Sequence, residues 1–324
     1  LYGVAFITTF LLALAASLLL TPLVIRLARR FNILDRPAQR KVHKEPMPLW
    51  GGLAVFGGTV IATGAALLLF DVLDPHLTGK AVKMFWGLLG ASAIIVVLGM
   101  VDDVLALGAK LKLGVQLCAA LILYFSGVSI TFVKLPHQGY HYLIPALSIG
   151  LTLFWIAGIM NALNLLDGLD GLLSGVAVIS GLVFFGVAVV KGQVLVAVLL
   201  MALVGASLGF LKYNFSPAKI FLGDTGSLFI GLMFAAVSIM GALKTTLTLT
   251  FLVPVLIMGV PIFDTAFAIV RRFLGGKPIF SPDKDHVHHR LLRSGISHKN
   301  AVAVIYAINL ILGLAGLWMA ARYK

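Results

Sequence analysis

Apolar residues along this chain neither alternate nor recur at one face of a helical period; they run on. Stretches of about twenty predominantly apolar residues, the length a helix needs to cross a hydrocarbon core, follow one another from end to end. Ten of them lie at about 3–25, 51–70, 84–101, 113–131, 143–162, 171–190, 193–211, 226–243, 246–270 and 301–321. Several contain Gly and Pro, which helices in lipid tolerate because neighbouring helices satisfy the freed backbone groups. The pattern predicts an all-α integral membrane protein of about ten transmembrane helices. No internal repeat is visible and no room remains for a separate soluble domain, so residues 1–324 are expected to form one polytopic unit.

Composition sharpens this picture. The chain is 60% hydrophobic and only 11% charged, against about 25% charged residues in an ordinary soluble domain. Its net charge of +13 would suggest nucleic acid in a soluble protein. Here the basic residues sit in short loops between apolar runs, where they set topology and meet anionic headgroups; membrane lipids, and no nucleic acid, are the expected contacts. The lone Cys118 excludes an internal disulfide and reads as a small packed residue. The chain opens at Leu1 without a basic leader, and no cleavable signal peptide is expected.

Charge also orients the chain. The loops after the first, third, fifth, seventh and ninth stretches hold 18 of the 25 Lys and Arg. Lys and Arg favour the cytoplasm, so these loops are expected inside and both termini outside. The carboxylates follow. Asp35, Glu45, Asp102, Asp103, Asp167, Asp170, Asp224, Asp283 and Asp285 fall on the same side, while Asp71 and Asp74 fall on the other and Asp264 sits within the ninth stretch. The unusual chemistry is therefore expected in active-site loops at the cytoplasmic face.

Four segments carry that chemistry. Asp102 and Asp103 end an apolar helix, where the macrodipole makes anions uncomfortable. Beyond a solvated helix end, the pair fits a divalent cation or a shared proton, and Lys110 and Lys112 stand within reach of a phosphate. Asn161, Asn164 and Asp167 are spaced to share a helix face. Gly168 and Gly171 then allow a turn or a close approach, with Asp170 between them and no local Lys or Arg. Asp224, with Gly223 before it and Gly226 after it, suits either a helix cap or a metal held near a phosphate. His286, His288, His289 and Arg290 follow Asp285 in a long basic loop. Their spacing is wrong for zinc and fits recognition of phosphate and sugar oxygens.

Together these segments resemble the polyprenyl-phosphate N-acetylhexosamine-1-phosphate transferase family. The similarity extends over nearly the whole chain and rests on Lys44, Pro48, Gly51 and Gly52; Asp102 and Asp103; Asn161, Asn164, Asp167, Gly168, Asp170 and Gly171; Gly223, Asp224, Gly226 and Ser227; Pro261, Asp264 and Thr265; and the histidine loop. Trp50 departs from the smaller residue that often precedes the glycine pair. The His-x-His-His-Arg form resembles the bacterial branch that transfers GlcNAc-1-phosphate to undecaprenyl phosphate in O-antigen, common antigen or teichoic acid synthesis. The branch that transfers phospho-MurNAc-pentapeptide is the alternative. The resemblance implies Mg2+, with Mn2+ as a substitute, on Asp224 with Asp167 nearby. It implies Asp102, Asp103 and Lys112 at the polyprenyl phosphate. Lys44, Asn164, Asp170, Asn214 and Phe221 would bind the donor, Phe221 stacking on uracil, and His286, His288, His289 and Arg290 would face the sugar and diphosphate.

The expected reaction is attack of the polyprenyl phosphate on a UDP-N-acetylhexosamine with release of UMP, directly or through an aspartyl-phosphate. Phosphoryl transfer needs alignment and charge neutralisation more than covalent help, which suits an aspartate-rich, cysteine-poor site. Two readings of other classes compete. An ion-coupled transporter would use the intramembrane Asp264, and a non-catalytic protein could bind the lipid carrier. A Gly-rich exposed helix would also permit a homodimer.

Overall fold

The computed structural model describes residues 2–37, 45–70, 78–135, 139–242, 251–276 and 286–322. The long helices are α1 (Tyr2–Arg30), α2 (Gly52–Leu69), α3 (Thr78–Leu105), α4 (Ala109–Phe125), α5 (Pro145–Leu166), α6 (Leu172–Val190), α7 (Val194–Asn214), α8 (Gly223–Ala242), α10 (Gly259–Leu274) and α12 (His298–Arg322). Two short ones, α9 (Val253–Ile257) and α11 (Val287–Arg293), complete the set. Eight of the described helices are long and apolar enough to cross a membrane, so the chain is a multi-pass membrane protein. Each of the ten expected stretches contains a helix, but the count of ten spans is not established. The fourth is a 17-residue helix, and the ninth is broken at Met258 into α9 and α10.

Helix α8 forms the centre, buried along almost its whole length and flanked by α3 and α5, with α2 beside it. Helix α7, mostly buried, carries α1, α2 and α6, and α12 packs on α6. With lipid as apolar as the helices themselves, association depends on close packing of small residues. The buried face of α1 repeats Ala5, Thr9, Ala13, Ser17 and Thr21 at four-residue intervals. Opposite it on α7, a Cβ at Gly205 would come within 2.3 Å of the Phe10 carbonyl oxygen. On α4 the buried face is Gln116, Ala119, Ala120 and Leu123. Cys118 points away from that face and is exposed, contrary to the packed position expected for it.

The break at Met258 has a local cause. Pro261 has no N–H to offer the carbonyl four residues back, that of Ile257. Ser180 Oγ donates to that carbonyl instead at 3.0 Å, and Asn309 Nδ2 donates to Ser180 Oγ at 2.9 Å. Two small antiparallel ladders lie outside the helices: β1 (Leu34–Asp35) with β2 (Met47–Pro48), and β3 (Phe132–Leu135) with β4 (Gly139–Tyr142).

Helix ends reach further than the apolar runs. Helix α3 extends to Leu105, α5 to Leu166, and α8 begins at Gly223. Asp102, Asp103, Asn164 and Asp224 therefore stand on terminal turns of buried helices, which fixes them far more firmly than loops would. The first turn of α8 is seated between two glycines. A Cβ at Gly52 would fall 2.1 Å from the Gly226 nitrogen, and one at Gly99 would fall 2.3 Å from Thr225 Cα. Gly99→Ala should thus displace the turn that carries Asp224, at about 1–3 kcal/mol for overpacking a rigid contact. Thermal unfolding in detergent is expected to show a lowered midpoint for Gly99→Ala and none for Gly90→Ala, which has open space on the same helix.

Candidate active site

Residues at or after the ends of α1, α3, α5 and α7, the start of α8, and residues of α11 and α12 converge on one cavity of about 560 Å³. Its walls include Asp35, Asp102, Asp103, Asp167, Asp170 and Asp224, with Asn164, Asn214, Phe221, Ser227, His289 and His298.

The aspartate pair divides its labour. Asp103 Oδ1 accepts the backbone N–H of Asp224 at 2.8 Å, and its Oδ2 accepts the Thr225 hydroxyl at 2.7 Å. A carboxylate from α3 thus caps the N-terminus of α8. Gly223 makes this possible: its φ is +72°, and a Cβ there would lie 2.4 Å from Asp103 Oδ2. Asp102 turns the other way. Its Oδ1 accepts the Leu107 N–H at 2.8 Å, and Lys112 Nζ donates to its Oδ2 at 3.0 Å. The same ammonium donates to Asp224 Oδ2 at 2.8 Å. Asp224 is therefore not the cap of its own helix; its carboxylate faces Lys112.

Asp167 follows the last turn of α5. Burial, then the carboxylates of Asp224, Asp103 and Asp170, push its acid up to about 8. Asn164 Nδ2 donates to Ser227 Oγ at 2.9 Å, tying α5 to α8. Asn161 leaves the cavity and donates to Gln116 Oε1 on α4 at 2.7 Å. Asp170 Oδ2 accepts the Ala218 N–H at 3.1 Å. Asn214, almost fully buried, takes the Gly171 N–H and the Ser174 hydroxyl on Oδ1 and gives Nδ2 to the Ile220 carbonyl.

The histidine segment is anchored from α10. Asp264 pairs with His286 Nδ1 at 2.8 Å and accepts the Val287 N–H at 2.9 Å, so it holds the start of α11. His288 is buried over Gly168, with its Nε2 2.4 Å from where a Cβ of that residue would stand. Burial and the neighbouring His289 and His286 hold its imidazole down at about 4, so it is neutral near pH 7. His289 lines the cavity; Arg290 is exposed and is not among the lining residues.

Known proteins resemble this chain over most of its length. Residues 85–242 match the family described as glycosyl transferase family 4. The chain is 40% identical over 311 residues to a probable undecaprenyl-phosphate N-acetylglucosaminyl 1-phosphate transferase of Bacillus subtilis, covering 96% of this chain and 84% of that protein. The chain belongs to the polyprenyl-phosphate N-acetylhexosamine-1-phosphate transferase family. It is also 41% identical to a Mycobacterium tuberculosis decaprenyl-phosphate N-acetylglucosaminephosphotransferase, over 86% of this chain and 74% of the relative. A Staphylococcus aureus phospho-N-acetylmuramoyl-pentapeptide-transferase is 31% identical over 95% and 97% of the two chains.

Against the expectations for this transferase family, Asp102, Lys112, Asp224, Asn164, Asp167, Asp170, Phe221 and His289 are brought to or against one cavity. Asp103 and Asn214 also line it, but their polar atoms are committed to the scaffold. His286 is engaged with Asp264 and does not line it. Lys44 and Asp285 lie outside the described residues. Sequence reasoning missed His298 and the cavity-lining role of Asp35. No motif marks either, and both reach the cavity only through the packing of their elements.

Among the described residues no three His, Cys, Asp or Glu side chains are grouped to hold an ion by themselves. Mg2+, however, is usually held through one or two carboxylates with the remainder from waters and substrate phosphates. The lining is rich in carboxylate oxygen and has no sulfur, and its carboxylates repel one another at Asp167. Asp224 and Asp167 thus fit a hard cation.

The Asp167 shift has a sign. Its folded pKa lies above the ordinary value of about 3.9, so between about pH 4 and 8 the folded state binds a proton that the unfolded state has released. Stability therefore falls as pH rises through that window. With EDTA present, the thermal midpoint of Asp167→Asn is expected to gain on the wild type between pH 5 and pH 8.5. A gap independent of pH would locate the repulsion elsewhere.

Proposed function

We propose that this transferase moves GlcNAc-1-phosphate from UDP-GlcNAc to undecaprenyl phosphate, releasing UMP, at the cytoplasmic face of a bacterial inner membrane. The product would initiate a cell-envelope polysaccharide. The observation that carries this reading is the Asp102–Lys112–Asp224 bridge on the wall of an acidic cavity at the ends of buried helices. With a hard cation among its carboxylates such a site would handle anionic oxygens, and it would do so at one membrane face, where the basic loops also gather. A midplane transport site would place its ionisable groups elsewhere, and Asp264 is occupied in holding α11.

The acceptor needs a polar site beside an apolar one. A groove of about 340 Å³ lined by Trp50, Val97, Met100, Val101, Val104 and Leu105 adjoins the cavity. Leu49 and Ala106 line the cavity while their neighbours Trp50 and Leu105 line the groove. Trp50 Nε1 donates to the Met100 carbonyl at 3.1 Å, joining two residues of the groove wall. This arrangement suits a phosphate carried on a long apolar chain.

In the reaction, an oxygen of the acceptor phosphate forms a bond to the β-phosphorus of the donor, and the bond from that phosphorus to the bridging oxygen breaks, releasing UMP. Asp102 is the carboxylate of its pair placed to accept a proton from the acceptor, since Asp103 is held by α8. Lys112 supplies positive charge between the two phosphate-bearing substrates. Bound Mg2+, held by Asp224 and Asp167, would neutralise the donor diphosphate. Asp170 and Phe221 would orient the nucleotide, and His289 would donate to the sugar or diphosphate. The two N-acetylglucosamine relatives favour GlcNAc over the pentapeptide donor, at 40% and 41% identity against 31%.

UMP release is the test. It is expected only when UDP-GlcNAc, Mg2+ and polyprenyl phosphate are all present, with UDP-GalNAc and UDP-MurNAc-pentapeptide poorer donors. Asp224→Asn should remain folded and lose activity on the order of 10³-fold, the scale of a lost ligand to a hard cation in phosphoryl transfer. Activity within a few-fold of wild type would refute the assignment of Asp224.

A further inference from the structure

We infer that His298, which no sequence motif marked, is a donor-binding residue whose imidazole hydrogen-bonds an oxygen of the nucleotide-sugar. The inference rests on the transferase reading above.

His298 is the first residue of α12 and lines the acidic cavity. Its Nε2 is shielded from solvent and has no hydrogen-bond partner within the protein. Among the described residues, buried side-chain polar atoms without a partner also occur on Ser17, Thr63, Gln193, Ser207, Thr265, His288 and Asn309. None of those seven lines the cavity. A desolvated ring nitrogen left unpaired opposes folding, and at a cavity wall a completing ligand is one of the reasons a native protein keeps such a group.

The chemistry of the wall says what that ligand offers. Six aspartates face the cavity; those that are ionised accept hydrogen bonds without donating any, Asp167, which holds its proton, being an exception. A nucleotide-sugar is dense in acceptor oxygens, on its phosphates above all. Donors are therefore the scarce element of this site, and an imidazole N–H is one of few available. Position in the fold agrees. Ser297 Oγ takes the Asn300 N–H at 3.4 Å, so capping of α12 falls to Ser297 and not to His298. Gly295, at φ +87°, makes the sharp turn from α11 to α12. The Gly295 and Ile296 N–H groups close that turn onto the Leu292 and Leu291 carbonyls. His289 and His298 are thus presented to one cavity from the two sides of a tightly bonded corner.

A packing role and a binding role for His298 make opposite predictions for the ligand-free protein. Removing a ring whose buried nitrogen has no partner sacrifices no hydrogen bond. The detergent-solubilised protein without ligand should keep its thermal midpoint in His298→Ala. In the same variant KM for UDP-GlcNAc should rise at least tenfold, while KM for polyprenyl phosphate stays within twofold. The increase in midpoint caused by UDP-GlcNAc should shrink accordingly. His298→Gln, which restores an N–H donor of similar reach, should recover part of the donor affinity. Unchanged donor KM and midpoint increase in His298→Ala, or a ligand-free midpoint that falls with activity, would overturn the inference. A wild-type protein that neither binds UDP-GlcNAc nor releases UMP would instead sink the transferase reading, and this inference with it.

Discussion

The site depends on how the first turn of α8 is held. A helix that begins inside the protein exposes backbone N–H groups that lipid cannot satisfy. Asp103, at the end of α3, accepts the N–H of Asp224 and the hydroxyl of Thr225. That one carboxylate takes the N–H groups of Asp224 and Thr225 at the helix start, ties α3 to α8, and leaves Asp224 aimed at Lys112. Gly52, Gly99 and Gly223 are the clearances that allow the turn to sit so close. Asp102, next in the chain to Asp103, then meets Lys112, the Leu107 N–H and the carboxyl of Asp224. Two adjacent acids therefore do different work, one in the scaffold and one in the cavity.

A second line of support runs from the far side of the bundle. Pro261 breaks the helix at Met258, and Ser180, itself held by Asn309, satisfies the carbonyl the break exposes. The break lets α10 follow its own course, packed against α5 and α12. Helix α10 brings Asp264 to His286, and Asp264 fixes the start of α11, from which His288 rests on Gly168 and His289 reaches the cavity. An acid in an apolar helix, suggestive of transport when met in the sequence, is instead the anchor of the histidine segment.

Much of this was legible beforehand because lipid imposes a simple rule on sequence. Every one of the ten apolar runs contains a helix, and the acidic motifs were readable because carboxylates at the ends of such runs have few reasons to be there. What was not legible depended on partners distant in the chain. Asp103 and Asp102 are chemically identical in sequence, and only the arrival of α8 more than 120 residues later separates their roles. Asn214 looked like a nucleotide contact; it lines the cavity, but its amide also ties Gly171, Ser174 and Ile220 together, a scaffold role its motif does not show. Cys118 looked packed because it lies in an apolar run, but in a membrane the outer face of a helix is apolar too. His298 lay eight residues past Arg290, the last residue of a conspicuous histidine motif, and carried no pattern of its own.

Electrostatics connects the scaffold to the proposed chemistry. Six carboxylates share one cavity, and Lys112 is divided between two of them. The repulsion that remains is felt at Asp167, whose acid is pushed far above the ordinary range. Such a site would repel a diphosphate unless additional positive charge came with it. A hard cation is the smallest means of supplying that charge, since it uses carboxylate and phosphate oxygens as ligands together. The same excess of acceptors explains why donors such as Lys112, His289 and His298 matter at this wall beyond their number. A site made entirely of acids could hold an anion through a metal, and N–H groups beside it would add direct hydrogen bonds that fix how the anion lies.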